Sequence, residues 1–82
     1  MNRSGVERSE TEYDILNLRY DLVSKIKKAR KELNMTQEEL ALRIGTKKSN
    51  ISRLESGNYN PTINFISKVA KGLGKEIYIE LK

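Results

Sequence analysis

Thr36-Gln37-Glu38-Glu39-Leu40-Ala41-Leu42-Arg43-Ile44-Gly45-Thr46-Lys47-Lys48-Ser49-Asn50-Ile51-Ser52-Arg53-Leu54-Glu55-Ser56-Gly57 is the stretch whose reading decides the fold. It opens with a capping box. The Thr36 hydroxyl is spaced to accept from the Glu39 amide, and the Glu39 carboxylate to reach back to the Thr36 amide. Leu40, Ala41 and Ile44 then form a short apolar helical face. Gly45 stops that helix, because glycine takes a left-handed C′ position without a Cβ penalty. A second helix follows over 47–56, with Thr46 as its expected cap, Ile51 and Leu54 facing inward, and Gly57 ending it.

Two helices joined by a tight glycine turn make a helix-turn-helix arrangement. Three positions give it specificity. Ala41 is small where the next helix crosses, Gly45 makes the turn, and Ile51 fills the space between the helices.

Working outward, Ile15, Leu18, Leu22, Ile26, Ala29 and Leu33 recur at helical spacing and predict a helix from about Thr11, with a break near Asn17–Asp21 left open. Residues 1–10 are polar and aperiodic and read as a disordered leader. After the loop Asn58-Tyr59-Asn60-Pro61, Thr62 caps a further helix whose inward stripe is Phe65, Ile66, Val69, Ala70 and Leu73. Gly72 and Gly74 are expected to close it. Beyond it the period changes. Ile77, Ile79 and Leu81 alternate with Glu76, Tyr78 and Glu80, which predicts a half-buried strand over 75–82. A lone strand cannot satisfy its own backbone groups. Its partner would be a second copy or a different protein, with a frayed tail against the helices as the other reading.

The chain has 82 residues, room for one domain. It has neither cysteine nor histidine, so it lacks a disulfide framework, a thiolate nucleophile, the usual general base and the common zinc ligand. No cofactor, metal or catalytic group is expected, and no apolar run is long enough for a membrane span. Sixteen Lys and Arg oppose eleven Asp and Glu, a net charge of +5. Residues 1–24 carry three basic and five acidic groups, and residues 25–82 carry thirteen and six. An acidic extension ahead of a strongly basic body suits a polyanionic partner, nucleic acid first. Lys47 and Lys48 strengthen that reading. They open a helix, where positive charge opposes the dipole, unless a phosphate lies in front of both. Ser49, Asn50 and Arg53 lie near the same outward face and can donate to base edges or phosphates.

Arg30-Lys31-Glu32-Leu33-Asn34-Met35-Thr36-Gln37-Glu38-Glu39-Leu40-Ala41, then Ile44-Gly45, Ile51-Ser52-Arg53-Leu54-Glu55-Ser56-Gly57 and Asn60-Pro61, resemble the XRE helix-turn-helix family of lambda-type (Cro/C1) repressors. The resemblance covers residues 25–74. It implies an all-α lambda repressor-like DNA-binding domain, here with an acidic helical extension over 11–24 and the C-terminal strand. It implies that Gln37 anchors the motif to a phosphate and that Lys48, Ser49 and Arg53 read bases. Asn50 and Ser56 would contact the DNA backbone, and the loop carrying Asn58, Tyr59 and Asn60 would run along phosphates. Arg30 and Glu55 match a structural ion pair. Lys48 stands where glutamine is frequent in the family, and a point-charge donor suits a phosphate as well as a base.

The flanks are similar to those of HigA-type antitoxins, through Glu12-Tyr13 in an acidic N-terminal helix and a strand after Leu73-Gly74. That likeness implies a repressor of its own operon that also neutralises a RelE-like ribonuclease toxin; helix-turn-helix geometry itself predicts a homodimer bound to an inverted repeat, and the composition predicts a cytoplasmic location. Ile77, Tyr78, Ile79 and Leu81 would make the dimer or partner contact. The alternative is a stand-alone regulator of the same family with no toxin partner.

Overall fold

The computed structural model describes the backbone of residues 3–81 and the side chains from residue 15 to residue 81. Four helices follow in chain order: α1 (Arg3–Glu32), α2 (Gln37–Ile44), α3 (Lys48–Glu55) and α4 (Ile63–Gly72). Three of them end by one device. Asn34, at φ 55°, turns the chain so that its N–H donates to Lys31 O and the Met35 N–H to Arg30 O. Gly45 and Gly74 repeat this closure at the ends of α2 and α4. A left-handed residue swings the following amides back onto carbonyls that the helix end would leave unpaired. The Thr36 capping box forms as the sequence predicts, with Glu39 N to Thr36 Oγ1 at 3.0 Å and Thr36 N to Glu39 Oε1 at 2.8 Å. Thr62 caps α4 through the Phe65 amide.

Leu40, Ile51, Leu54 and Val69 are fully buried and form the centre of one core. Ile26, Ala29, Met35, Ala41 and Leu73 surround them, with Leu22, Ile44, Tyr59 and Phe65 packed half-buried at the edge. Ala41 and Ile51 thus fill the space between α2 and α3 as their spacing requires.

A buried ion pair crosses this core. Arg30 Nε donates to Glu55 Oε2 at 2.8 Å and Arg30 Nη2 to Glu55 Oε1 at 2.9 Å. The third nitrogen, Nη1, donates to Met35 O at 2.7 Å, and Gln37 Nε2 donates to Glu55 Oε1 at 3.0 Å. The hydrogen bond to Glu55 raises the Arg30 pKa. Burial pushes the Glu55 carboxyl up, but the bonds from Arg30 and Gln37 outweigh it and hold the group below its ordinary value.

Five expectations are corrected. Residues 3–10 are not a disordered leader: α1 begins at Arg3 and continues unbroken past Asn17–Asp21. Elongating a nucleated helix costs little, and Glu7, Arg8 and Glu10 are good helix formers; residues 1–2 lie outside the described residues. The α1 stripe is buried only where a neighbour faces it. Val23, Ile26 and Ala29 are covered, whereas Ile15, Leu18 and Leu33 are exposed. Thr46 does not cap α3. Lys47 takes the N-cap position with no side-chain hydrogen bond, and the helix starts at Lys48. Gly72 does not close α4 but lies in its last turn, where a Cβ would run into Ile44 Cγ2 and sit 3.2 Å from Leu40 Cδ1. Finally, no strand forms among the described residues. Residues 75–81 extend from α4 without a ladder partner, leaving Tyr78, Ile79 and Leu81 exposed, because the chain supplies no second strand to pair with them.

Alanine in place of a helical glycine ordinarily stabilises by up to about 1 kcal/mol. Gly72→Ala should reverse that sign and cost about 1–3 kcal/mol by overpacking α4 on α2, seen as a lower thermal midpoint. Glu55→Gln should cost about 3–5 kcal/mol, since it leaves Arg30 buried and unpaired. The lowered Glu55 pKa also fixes a pH dependence. Its contribution is complete above the ordinary value of 4.5 and is lost as the pH falls through the lower folded value. Urea unfolding across the acid range should therefore show a shallower loss of stability for Glu55→Gln than for the wild type.

Candidate nucleic-acid interface

Helix α3 is divided lengthwise. Ile51, Leu54 and Glu55 are buried, while Lys48, Ser49, Ser52 and Arg53 are exposed. With Ser56 just past the helix end, the exposed positions fall within about 140° of the helix circumference. Lys48 and Arg53 reach solvent together. Ser52 lies at the middle of this face, three residues from Ser49 and four from both Lys48 and Ser56. The sequence reading does not single it out, although the i, i+3, i+4 rule points to it.

No carboxylate of segment 46–65 stands on this face. Between Thr46 and Phe65 the only carboxylate is Glu55, which is 6% exposed and held by Arg30. Lys47, Lys48 and Arg53 therefore set an uncompensated positive potential at the N-terminal half of α3 and along its outer side. The hydroxyls of Ser49 and Ser52 add short donors and acceptors between the cations.

Other predicted site residues also make internal hydrogen bonds. Asn50 is half-buried, and its Nδ2 donates to Thr46 Oγ1 at 2.8 Å, bracing the turn between α2 and α3. Gln37 is half-buried on Glu55 and joins the start of α2 to the end of α3. The Ser56 hydroxyl donates to Arg53 O at 2.7 Å and accepts from the Asn58 N–H at 3.3 Å. Gly57, at φ 81°, then reverses the chain and brings Tyr59 back against the core. Arg53 Cζ lies 5.7 Å from the centre of the Tyr59 ring. Asn58 and Asn60 remain exposed on the loop beside α3. Ile77, Tyr78, Ile79 and Leu81 belong to the tail and are not part of this face.

This arrangement offers rigidly backed cations and small polar groups to an anionic, grooved partner. Among the described residues no cluster of three acidic side chains is gathered that could hold a metal, and no helix is long and apolar enough to cross a membrane.

Comparison with known proteins agrees with this architecture. A helix-turn-helix family model matches residues 26–79. A protein of Methanothermobacter thermautotrophicus described as an uncharacterized HTH-type transcriptional regulator is 45% identical over 51 residues, covering 62% of this chain and 74% of that protein. One of Archaeoglobus fulgidus with the same description is 43% identical over 54 residues, covering 66% and 76%. The vegetative-specific protein H7 of Dictyostelium discoideum is 35% identical over 86 residues, covering 99% of this chain and 83% of that protein. With a match across α2, α3 and α4 and the spacing that packs Ala41 against Ile51, the chain belongs to the XRE-type helix-turn-helix family.

Proposed function

We propose that this protein is a sequence-specific DNA-binding transcriptional regulator that lays α3 in the major groove. The observation that carries the reading is the face of Lys48, Ser49, Ser52 and Arg53, held outward by the burial of Ile51, Leu54 and Glu55. An α-helix fits the major groove, and lysine, arginine and serine donors match guanine O6 and N7 and the phosphates beside them. Lys47 and the loop with Asn58 and Asn60 flank the helix where phosphates would pass. Relatives described as HTH-type transcriptional regulators support the same reading.

A single eight-residue helix reads only a few base pairs, so the protein acts as a homodimer on an inverted repeat with half-sites about 34 Å apart. It works in the cytoplasm as the antitoxin and autorepressor of a toxin–antitoxin operon. This finer reading is supported by the outer part of α1. There Leu16 and Tyr20 are exposed and line a groove with Arg19, Val23, Lys27 and Gly57, while Ile15 and Leu18 are exposed elsewhere on the helix. A net charge of −2 over residues 1–24 suits a basic partner such as a ribonuclease. A stand-alone regulator would share the DNA face and leave α1 uncovered.

Two experiments test these readings. Binding to the duplex upstream of its own gene should weaken steeply with salt, with a log–log slope corresponding to about four to six phosphates per subunit. Arg53→Ala should cost about 1–3 kcal/mol of that binding with little change in thermal midpoint, and Lys47→Ala should reduce the salt slope by about 1. A flat salt response would end the DNA reading. Co-expression with the adjacent gene should yield a complex that Leu16→Glu/Tyr20→Glu disrupts, whereas a stand-alone regulator would purify without it.

A further inference from the structure

We propose that Tyr59 is a positioning residue for sequence reading: its ring holds the Arg53 guanidinium at the angle from which Arg53 reads a base. The inference rests on the DNA reading of α3 and goes beyond it to say what fixes its longest donor. Arg53 is exposed, and among the described residues no carboxylate pairs with it. An unpartnered arginine on a helix surface samples many rotamers, and ordering it on binding costs affinity and blurs selectivity. Here the guanidinium lies over an aromatic face within cation–π range, at 5.7 Å.

The ring is itself fixed. Tyr59 is half-buried and packs against the core cluster. It arrives there through a shaped turn. The Ser56 hydroxyl bridges Arg53 O and the Asn58 amide, and Gly57 supplies the left-handed reversal. The connection after α3 thus returns one side chain beneath the residue that ended the exposed stripe. Tyr59 need not touch DNA to matter. It restricts where the Arg53 fork points, and a planar bidentate donor discriminates guanine only when correctly aimed.

The test selects sites from a randomised DNA duplex library with the full chain. The position read by Arg53 is the one that Arg53→Ala relaxes. The readout is the ratio of affinities for the selected site and for the same site changed at that base pair, which cancels any uniform loss of affinity or of folded fraction. Tyr59→Leu, which keeps apolar packing but has no π face, should lower the ratio about two- to five-fold, and Tyr59→Phe should restore it. Phenylalanine analogues carrying successive fluorines at position 59 should lower it stepwise at constant shape. An unchanged ratio in Tyr59→Leu and across the fluorinated series would overturn the proposal, as would an Arg53→Ala variant that relaxes no position. A wild-type chain that enriches no site would overturn the DNA reading itself, and this one with it.

Discussion

The ion pair between Arg30 and Glu55 is the constraint on which the arrangement depends. Among the described residues, it is where α1, the turn at Met35, the start of α2 and the end of α3 meet through directed bonds. Burying two charges is expensive, and apolar side chains of similar volume often hold a core as well or better. Directed bonds contribute orientation instead. A guanidinium fork matches a carboxylate in few geometries, so α3 is held by its C-terminal turn at a set angle to α1. Gln37 occupies the remaining side of the carboxylate, and no buried side-chain polar atom among the described residues lacks a partner.

Orientation matters because α3 is a poor helix by itself. It has eight residues, no capping side chain, and lysines at the end where the dipole disfavours them. Its stability comes from Ile51 and Leu54 beneath it and from Glu55 at its end. That division leaves the opposite side free to be chosen for recognition. The local conflict at Lys47 and Lys48 is offset by tertiary packing, as is expected where a surface serves a partner rather than the fold.

Much of this was legible in the residues because it is local. The Thr36–Glu39 box, the Gly45 turn, and the small Ala41 opposite Ile51 each rest on spacing within a few positions. The Arg30–Glu55 pair came through family likeness, not through periodicity, since 25 residues separate its members. What escaped depends on distant contact. Gly72 looks like a helix stop until Ile44 is found against it. Tyr59 looks like a loop residue until the turn folds it under Arg53. The alternation of Ile77, Ile79 and Leu81 is real, but alternation describes side-chain direction and supplies no hydrogen-bond partner.

The link between α2 and α3 spans only positions 45–47, and none of the three is spare. Gly45 makes the left-handed closure, Thr46 supports Asn50, and Lys47 holds the N-cap position. Such a joint has no slack. An insertion or deletion of one residue between Gly45 and Ile51 would rotate everything downstream by about 100°, carrying Arg53 off the exposed face and misaligning Glu55 with Arg30. A change of length there would disturb the frame as a whole, whereas a substitution at an exposed position of α3 changes the presented surface and leaves the frame in place.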